Sequence, residues 1–192
     1  MKLVVLRLGH RKARDKRITT HVFLAGRALG ADAGVLCGEN DEAVLKSVSG
    51  VAGNWGGRFP VKHSPSYRKT LSGLKRRGFR VAHLTMYGER VEAVAPAIRR
   101  KARGRLCVVV GAEKVPGDVY RLSDWNVAVT GQPHSEVAAL AIFLHELFGG
   151  KELAKKFAGA RLSIVPQARG KKVLAAKPRG NQKRIYSRNA QL

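Results

Sequence analysis

Acidic residues are scarce in this chain: 13 Asp and Glu stand against 37 Lys and Arg over 192 residues, a formal net charge of +24. A surface so one-sided repels cations and favours polyanionic partners. No apolar run approaches the roughly 20 residues that span a bilayer. The opening Leu3-Val-Val-Leu6 stretch is too short, and too soon followed by charge, for a signal peptide. The expectation is a cytosolic or nuclear protein, taken as cytoplasmic, with no membrane partner. Only two cysteines occur, Cys37 and Cys107, each inside an apolar β-like run, so buried free thiols are expected rather than a disulfide. There is no Cys-x-x-Cys pair, and the histidines show no pair at three- or four-residue spacing, so no metal site is expected. Aromatics make up 6% and are scarcely interleaved with the basic runs, which leaves a stacking platform for single strands without support. No Gly-x-Gly-x-x-Gly follows a strand and no Gly-Lys-Ser/Thr closes a glycine loop, so dinucleotide and P-loop chemistry recede.

What is present is enough apolar sequence, 44%, for a real core: one domain plus a small appendage. Short β-branched runs at 3–8, 33–37, 59–62, 79–85, 106–111 and 126–129 alternate with helical patterns at 20–29, 41–52, 67–77, 90–101 and 135–148. That alternation predicts an α/β fold with a mainly parallel sheet. Thr19 or Thr20, Asn40 and Ser135 are the expected helix caps. The helix 136–148 has almost no polar face, so it is expected to be buried nearly all round, against the sheet on one side and a partner subunit on the other. A homodimer packed on this helix follows as an expectation. After Gly149-Gly150 the character changes: residues 151–192 hold 12 Lys and Arg and one acid, Glu152. This basic appendage is expected to comprise a helix, a β-hairpin made by 162–165 and 172–175, and a mobile tail from Lys177.

Between Glu42 and Glu89 there is no acid, while nine basic residues occur, and Arg11, Lys12, Arg14, Lys16 and Arg17 crowd the N-terminal segment against Asp15 alone. A thermophile surface would mix both signs, so this excess points to phosphate. RNA is favoured over DNA, because no helix-turn-helix, basic-zipper or zinc-finger pattern appears and the charge is spread over a folded body. Candidate RNA contacts are Arg11, Lys12, Arg68, Arg76 and Arg77, with Arg169, Lys171 and Lys172 at the hairpin tip.

Two polar loops, 111–116 and 130–136, directly follow apolar strands, where ligands bind in open α/β sheets. Gly111 and Gly131 permit close backbone approach, and Pro116 and Pro133 stiffen the loops. Glu113 and Glu136 are rare acids in a cationic chain. Either they meet a cationic ligand such as S-adenosylmethionine, or Glu113 pairs with Lys114 or Arg121 and Glu136 merely favours its helix N-terminus.

The strings Leu6-Arg-Leu-Gly-His-Arg11, Arg14-Asp-Lys-Arg-Ile-Thr-Thr-His21, His83-Leu-Thr-Met-Tyr-Gly88, Val110-Gly-Ala-Glu-Lys-Val-Pro116, Gln132-Pro-His-Ser-Glu-Val-Ala-Ala139 and Val165-Pro-Gln-Ala-Arg-Gly-Lys171 closely resemble the archaeal tRNA cytidine 2′-O-methyltransferases of the SPOUT superfamily. The resemblance implies a Rossmann-like sheet with a C-terminal trefoil knot, a homodimer, and transfer of a methyl group from S-adenosylmethionine to the ribose 2′-hydroxyl of the T-loop cytidine of tRNA. Carried over by position, the cofactor contacts are Leu84; Gly111, Ala112, Glu113, Lys114 and Val115; and Val129, Thr130, Gly131, Gln132, Pro133, His134, Ser135 and Glu136. In two places the chain departs from the wider superfamily. Leu24 stands where many relatives have an arginine, and Glu136 where they have an asparagine. Catalytic candidates are therefore taken from the N-terminal segment: Arg17, then Arg14, beside the 2′-oxygen, and His21 as the conventional base. A non-catalytic RNA-binding or ribosome-associated protein with the same basic surface is the alternative.

Overall fold

The computed structural model describes residues 1–111 and 114–176. The expected mobile tail lies outside the described residues. Six strands form one sheet: β1 (Lys2–His10), β2 (Ala33–Gly38), β3 (Val61–Ser64), β4 (Arg80–Arg90), β5 (Arg105–Val110) and β6 (Trp125–Ala128). Their order is β3-β2-β1-β5-β4-β6, and every pairing is parallel. Strict alternation assigns the side chains to two cores. Leu3, Val5, Leu106, Val108 and Val110 face α1 (Lys12–Ala28), α2 (Glu42–Trp55), α4 (Val91–Lys101) and α6 (Glu136–Phe148). Val4, Leu6, Leu8, Cys107 and Val109 face the shorter α3 (Tyr67–Arg76) and α5 (Gly117–Leu122). Central strands buried on both faces are the reason β1 and β5 read as unbroken apolar runs. Both cysteines are buried free thiols.

The main differences from expectation have local causes. α1 starts at Lys12, not near residue 20, because Thr19 and Thr20 do not cap it. Thr20 Oγ1 donates back to the Lys16 carbonyl at 2.8 Å, and Thr19 is buried as a hydrogen-bonding node. Asp15 instead accepts from the Arg11 amide at 3.0 Å in the first turn. Asp41, rather than Asn40, caps α2 by accepting from the Ala43 and Val44 amides. α5 escapes the periodicity because six residues starting with Gly117 read as loop. β4 runs on to Arg90 because its last residues rejoin β6 after an irregular stretch between Leu84 and Glu89.

α6 is capped by Ser135 as expected, but is not buried all round within one chain: Leu140, Phe143, Leu144 and Leu147 are buried, whereas Ile142 is 45% exposed. The expected basic C-terminal helix is a single 3-10 turn, Lys151–Ala154. The chain then crosses the ends of α1 and α2, with Lys155 Nζ donating to the Gly30 carbonyl and Gly57 N to the Ala158 carbonyl. It finishes in the expected antiparallel hairpin of β7 (Leu162–Val165) and β8 (Lys172–Ala175). Among the described residues, no helix is long and apolar enough to cross a membrane.

Candidate functional site

In a parallel sheet all carboxyl ends share one edge. Here the ends of β4 and β5 and the start of α6 enclose a cleft of about 730 Å³, within the ordinary size of a small-molecule site. Leu84, Val110, Val115 and Ala139 give it apolar walls, and Thr85, Tyr120, Ser135 and Glu136 supply polar groups. Two glycines allow the chain to pass this closely. A Cβ at Gly111 would lie 2.1 Å from Val115 Cγ2, and one at Gly88 would lie 2.5 Å from the Asn126 backbone.

One wall is a fixed polar cluster. Asn126 Nδ2 donates to the Tyr120 carbonyl at 3.1 Å, so its Oδ1 accepts from His83 Nδ1 at 2.9 Å. The Tyr120 hydroxyl meets Thr85 Oγ1 at 3.0 Å, and its ring stands edge-on to His83. Burial holds the His83 imidazole below its ordinary pKa, so it stays neutral here. The opposite wall carries Glu136, the single carboxylate among the described lining residues. Its partner is Arg7, whose Nη2 lies 3.3 Å from Glu136 Oε1. Glu136 is therefore matched by a cation of its own chain, a pairing absent from both sequence readings of that residue.

Of the cofactor residues expected from sequence, the structure brings Leu84, Gly111, Lys114, Val115, Pro133, His134, Ser135 and Glu136 to this cleft. Val129, Thr130 and Gly131 line an adjoining recess of about 340 Å³ with Met86, Gly88, Arg90 and Glu92. Gln132 lines neither, and its carbonyl meets His134 Nδ1 at 2.6 Å. Ala112 and Glu113 lie outside the described residues. Arg14, Arg17 and His21 do not form a loop over the cleft. They sit on α1 at spacings of three and four, opposite the buried Thr19, Val22 and Phe23, so they make one outward-facing row. Arg14 Nε lies 3.8 Å from Asp15 Oδ1.

The RNA-contact candidates divide. Lys12 N donates to Glu39 and Arg11 pairs with Asp15, both at the carboxyl edge of the sheet. Arg68 pairs with Asp118 at 2.6 Å and lies over the Tyr67 ring. Arg76 reaches the Ser72 hydroxyl, and Arg77 lies over Phe79. Between α3 and α5 runs a groove of about 500 Å³ in which Arg68, Lys75, Arg76 and Arg121 surround Asp118. Arg169, Lys171 and Lys172 are exposed at the far tip of the hairpin. No group of three His, Cys, Asp or Glu suited to a metal occurs among the described residues.

Residues 55–174 match the model of the family described as tRNA ribose 2′-O-methyltransferase, aTrm56. The chain belongs to that family. Similar members include the tRNA (cytidine(56)-2′-O)-methyltransferase of Thermococcus kodakarensis, 53% identical over 174 residues, which covers 90% of this chain and 96% of that protein. The enzyme of the same name from Methanothrix thermoacetophila is 55% identical over 174 residues, 91% of this chain and 98% of that one. Among solved structures, the SpoU methyltransferase AviRb from Streptomyces viridochromogenes, in complex with the cofactor AdoMet, superposes with a TM-score of 0.58 at 17% identity, covering 78% of this chain and 58% of that chain. At that identity the likeness shows the fold.

For this Trm56-family chain, sequence reasoning missed two parts of the site. The wall of Thr85, Tyr120 and Asn126 depends on α5, which carries no periodic signal. Arg7 did carry one: a charged residue inside the apolar run Leu3-Val-Val-Leu-Arg-Leu8 of a central strand.

Proposed function

We propose that this chain transfers a methyl group from S-adenosylmethionine to the ribose 2′-hydroxyl of the T-loop cytidine of tRNA, as a cytoplasmic homodimer. The observation that carries the reading is the cleft at the carboxyl ends of β4 and β5, whose lining lies within the residues 55–174 that match the family model. The residues present fit the cofactor. Apolar walls suit an adenine, a Cβ at position 111 would clash with Val115 Cγ2, and Glu136 places a carboxylate at the edge of the cavity. Leu84, the segment 111–115 and Val129 to Glu136 would hold it. When bound, it supplies a methyl group on a sulfonium, the electrophile of an in-line displacement.

The outward row on α1 supplies the groups for the acceptor. Arg17 and then Arg14 orient the ribose and stabilise charge on its 2′-oxygen, and His21 is the candidate to take the proton. Because the row faces away from the sheet of its own chain, it serves the cleft of a second copy. α6 supports such a dimer, since it packs on α1 and leaves Ile142 exposed. The α3–α5 groove and the hairpin tip give the tRNA backbone its phosphate contacts. The trefoil knot belongs to the same proposal. β6 lies outside β4 at the sheet edge, while α6, next in the chain, returns to pack on α1 and α4.

The deciding test is incorporation of tritiated methyl into unmodified tRNA transcripts, followed by mapping of the modified nucleotide. Label at the T-loop cytidine is the expected result. Calorimetry that shows RNA binding without S-adenosylmethionine binding would replace this reading with a non-catalytic RNA-binding protein.

A further inference from the structure

Arg7 occupies an expensive place. By alternation its side chain follows Leu3 and Val5 into the core shared by α1 and α6, and it is 1% exposed. Loss of water lowers its pKa, against the support of Glu136 and Asp15. An apolar side chain at this strand position would avoid that desolvation cost, so a buried guanidinium calls for a reason beyond packing.

Its contacts supply one. Nη1 donates to the Gly111 carbonyl, where β5 ends and the cleft begins. Nη2 lies 3.3 Å from Glu136 Oε1 at the first turn of α6, with the Glu136 side chain 31% exposed to the cleft. Nε donates to Thr19 Oγ1 at 3.4 Å, on α1. The relay continues: the Thr19 hydroxyl, having accepted from Arg7, donates to His10 Nδ1 at 2.9 Å, which leaves the His10 Nε2 proton facing Asp41 Oδ2 at 3.4 Å. Asp41 Oδ1 in turn caps α2. One planar fork thus joins two of the elements that form the cleft, β5 and α6, to the helix that carries Arg14, Arg17 and His21. Lysine has the charge but not the fork.

We infer that Arg7 is a positioning residue for the methyl-donor site: it sets the Glu136 carboxylate and the Gly111 carbonyl relative to each other and to α1. This rests on the reading of the cleft as the S-adenosylmethionine site. The parent chain and three variants, Arg7→Lys, Arg7→Met and Arg7→Met/Glu136→Gln, separate the possibilities. Four quantities are read: melting temperature without ligand, calorimetric Kd for S-adenosylmethionine, KM for tRNA, and hydrogen exchange at the Lys114 and Val115 amides.

Arg7→Lys is expected to stay folded, to bind S-adenosylmethionine about tenfold or more weakly, to exchange faster at Lys114 and Val115, and to keep its KM for tRNA. Arg7→Met leaves Glu136 without its cation and melts lowest. The double variant regains melting temperature over Arg7→Met but not cofactor affinity. If Arg7→Lys binds S-adenosylmethionine as the parent does, Arg7 only supports the fold and the inference is overturned. A parent chain that binds no S-adenosylmethionine overturns instead the assignment of the cleft.

Discussion

Arg17 stands on the outer face of α1, exposed and with no side-chain hydrogen bond or ion pair among the described residues. Removing it uncovers no core and orphans no partner, so its effect reads out chemistry rather than folding. Arg17→Ala is expected to lower single-turnover methyl transfer by about 10²–10³, the scale of losing one charge-stabilising donor. Melting temperature and S-adenosylmethionine Kd should stay at parental values; transfer at the parental rate would remove Arg17 from the acceptor site. His83 is the opposite kind of residue, buried and neutral, with its pKa pushed below 6.5 by desolvation despite the hydrogen bond it donates to Asn126 Oδ1. Above that value neither the folded nor the unfolded state carries the proton. Below it the unfolded chain binds a proton that the folded one resists, so stability falls as pH drops from 6.5 toward the folded pKa. Urea unfolding of the parent and of His83→Gln between pH 7.5 and 5 should show this slope in the parent and a shallower one in the variant.

At the scale of elements, the helix starts show why some boundaries were legible and others were not. Ser135 is followed by an apolar helix and caps it by accepting from Ala138 N. Asp41 competes with Asn40 on equal local terms, and in the fold it also faces His10 Nε2 of β1 at 3.4 Å, a neighbour that no local pattern shows. Asp41→Ala is therefore expected to cost about 1–2 kcal/mol, measured by chemical denaturation, while Asp41→Asn keeps the cap and costs less. Thr19 misleads for the same reason. A polar β-branched residue before an apolar run reads as a cap, yet here its hydroxyl is already used between Arg7 and His10 inside the core. α5 is too short for periodicity, and its place is held from outside by Tyr67 and Arg68 on Asp118.

At the scale of the whole molecule, one face of the sheet is covered by four helices and the other by two, and charge lies over both. In the proposed homodimer a second copy covers the half-open face of α6, where Ile142 is a large apolar side chain on an otherwise closed helix layer. If the proposed dimer forms there, Ile142→Asp is expected to give a monomer in light scattering at micromolar concentration, with that monomer still binding S-adenosylmethionine. A parent that is already monomeric would remove the α6 interface.

The sequence by itself determined the order of the strands and of the longer helices, though not α5, together with the parallel sheet, the terminal hairpin and the two loops that meet at the cleft, because period, punctuation and charge are local properties of the chain. It also isolated the excess of positive charge, which needs no fold to be counted. The tertiary structure alone decided that Glu136 faces Arg7, that Arg14, Arg17 and His21 form one row directed away from their own sheet, and that α5 closes the wall behind His83. The first and last of these join residues far apart along the chain, and such partners are set by strand order and register, which no local pattern records; the row on α1 is locally spaced, but the way it faces is set by which side of the helix packs on the sheet.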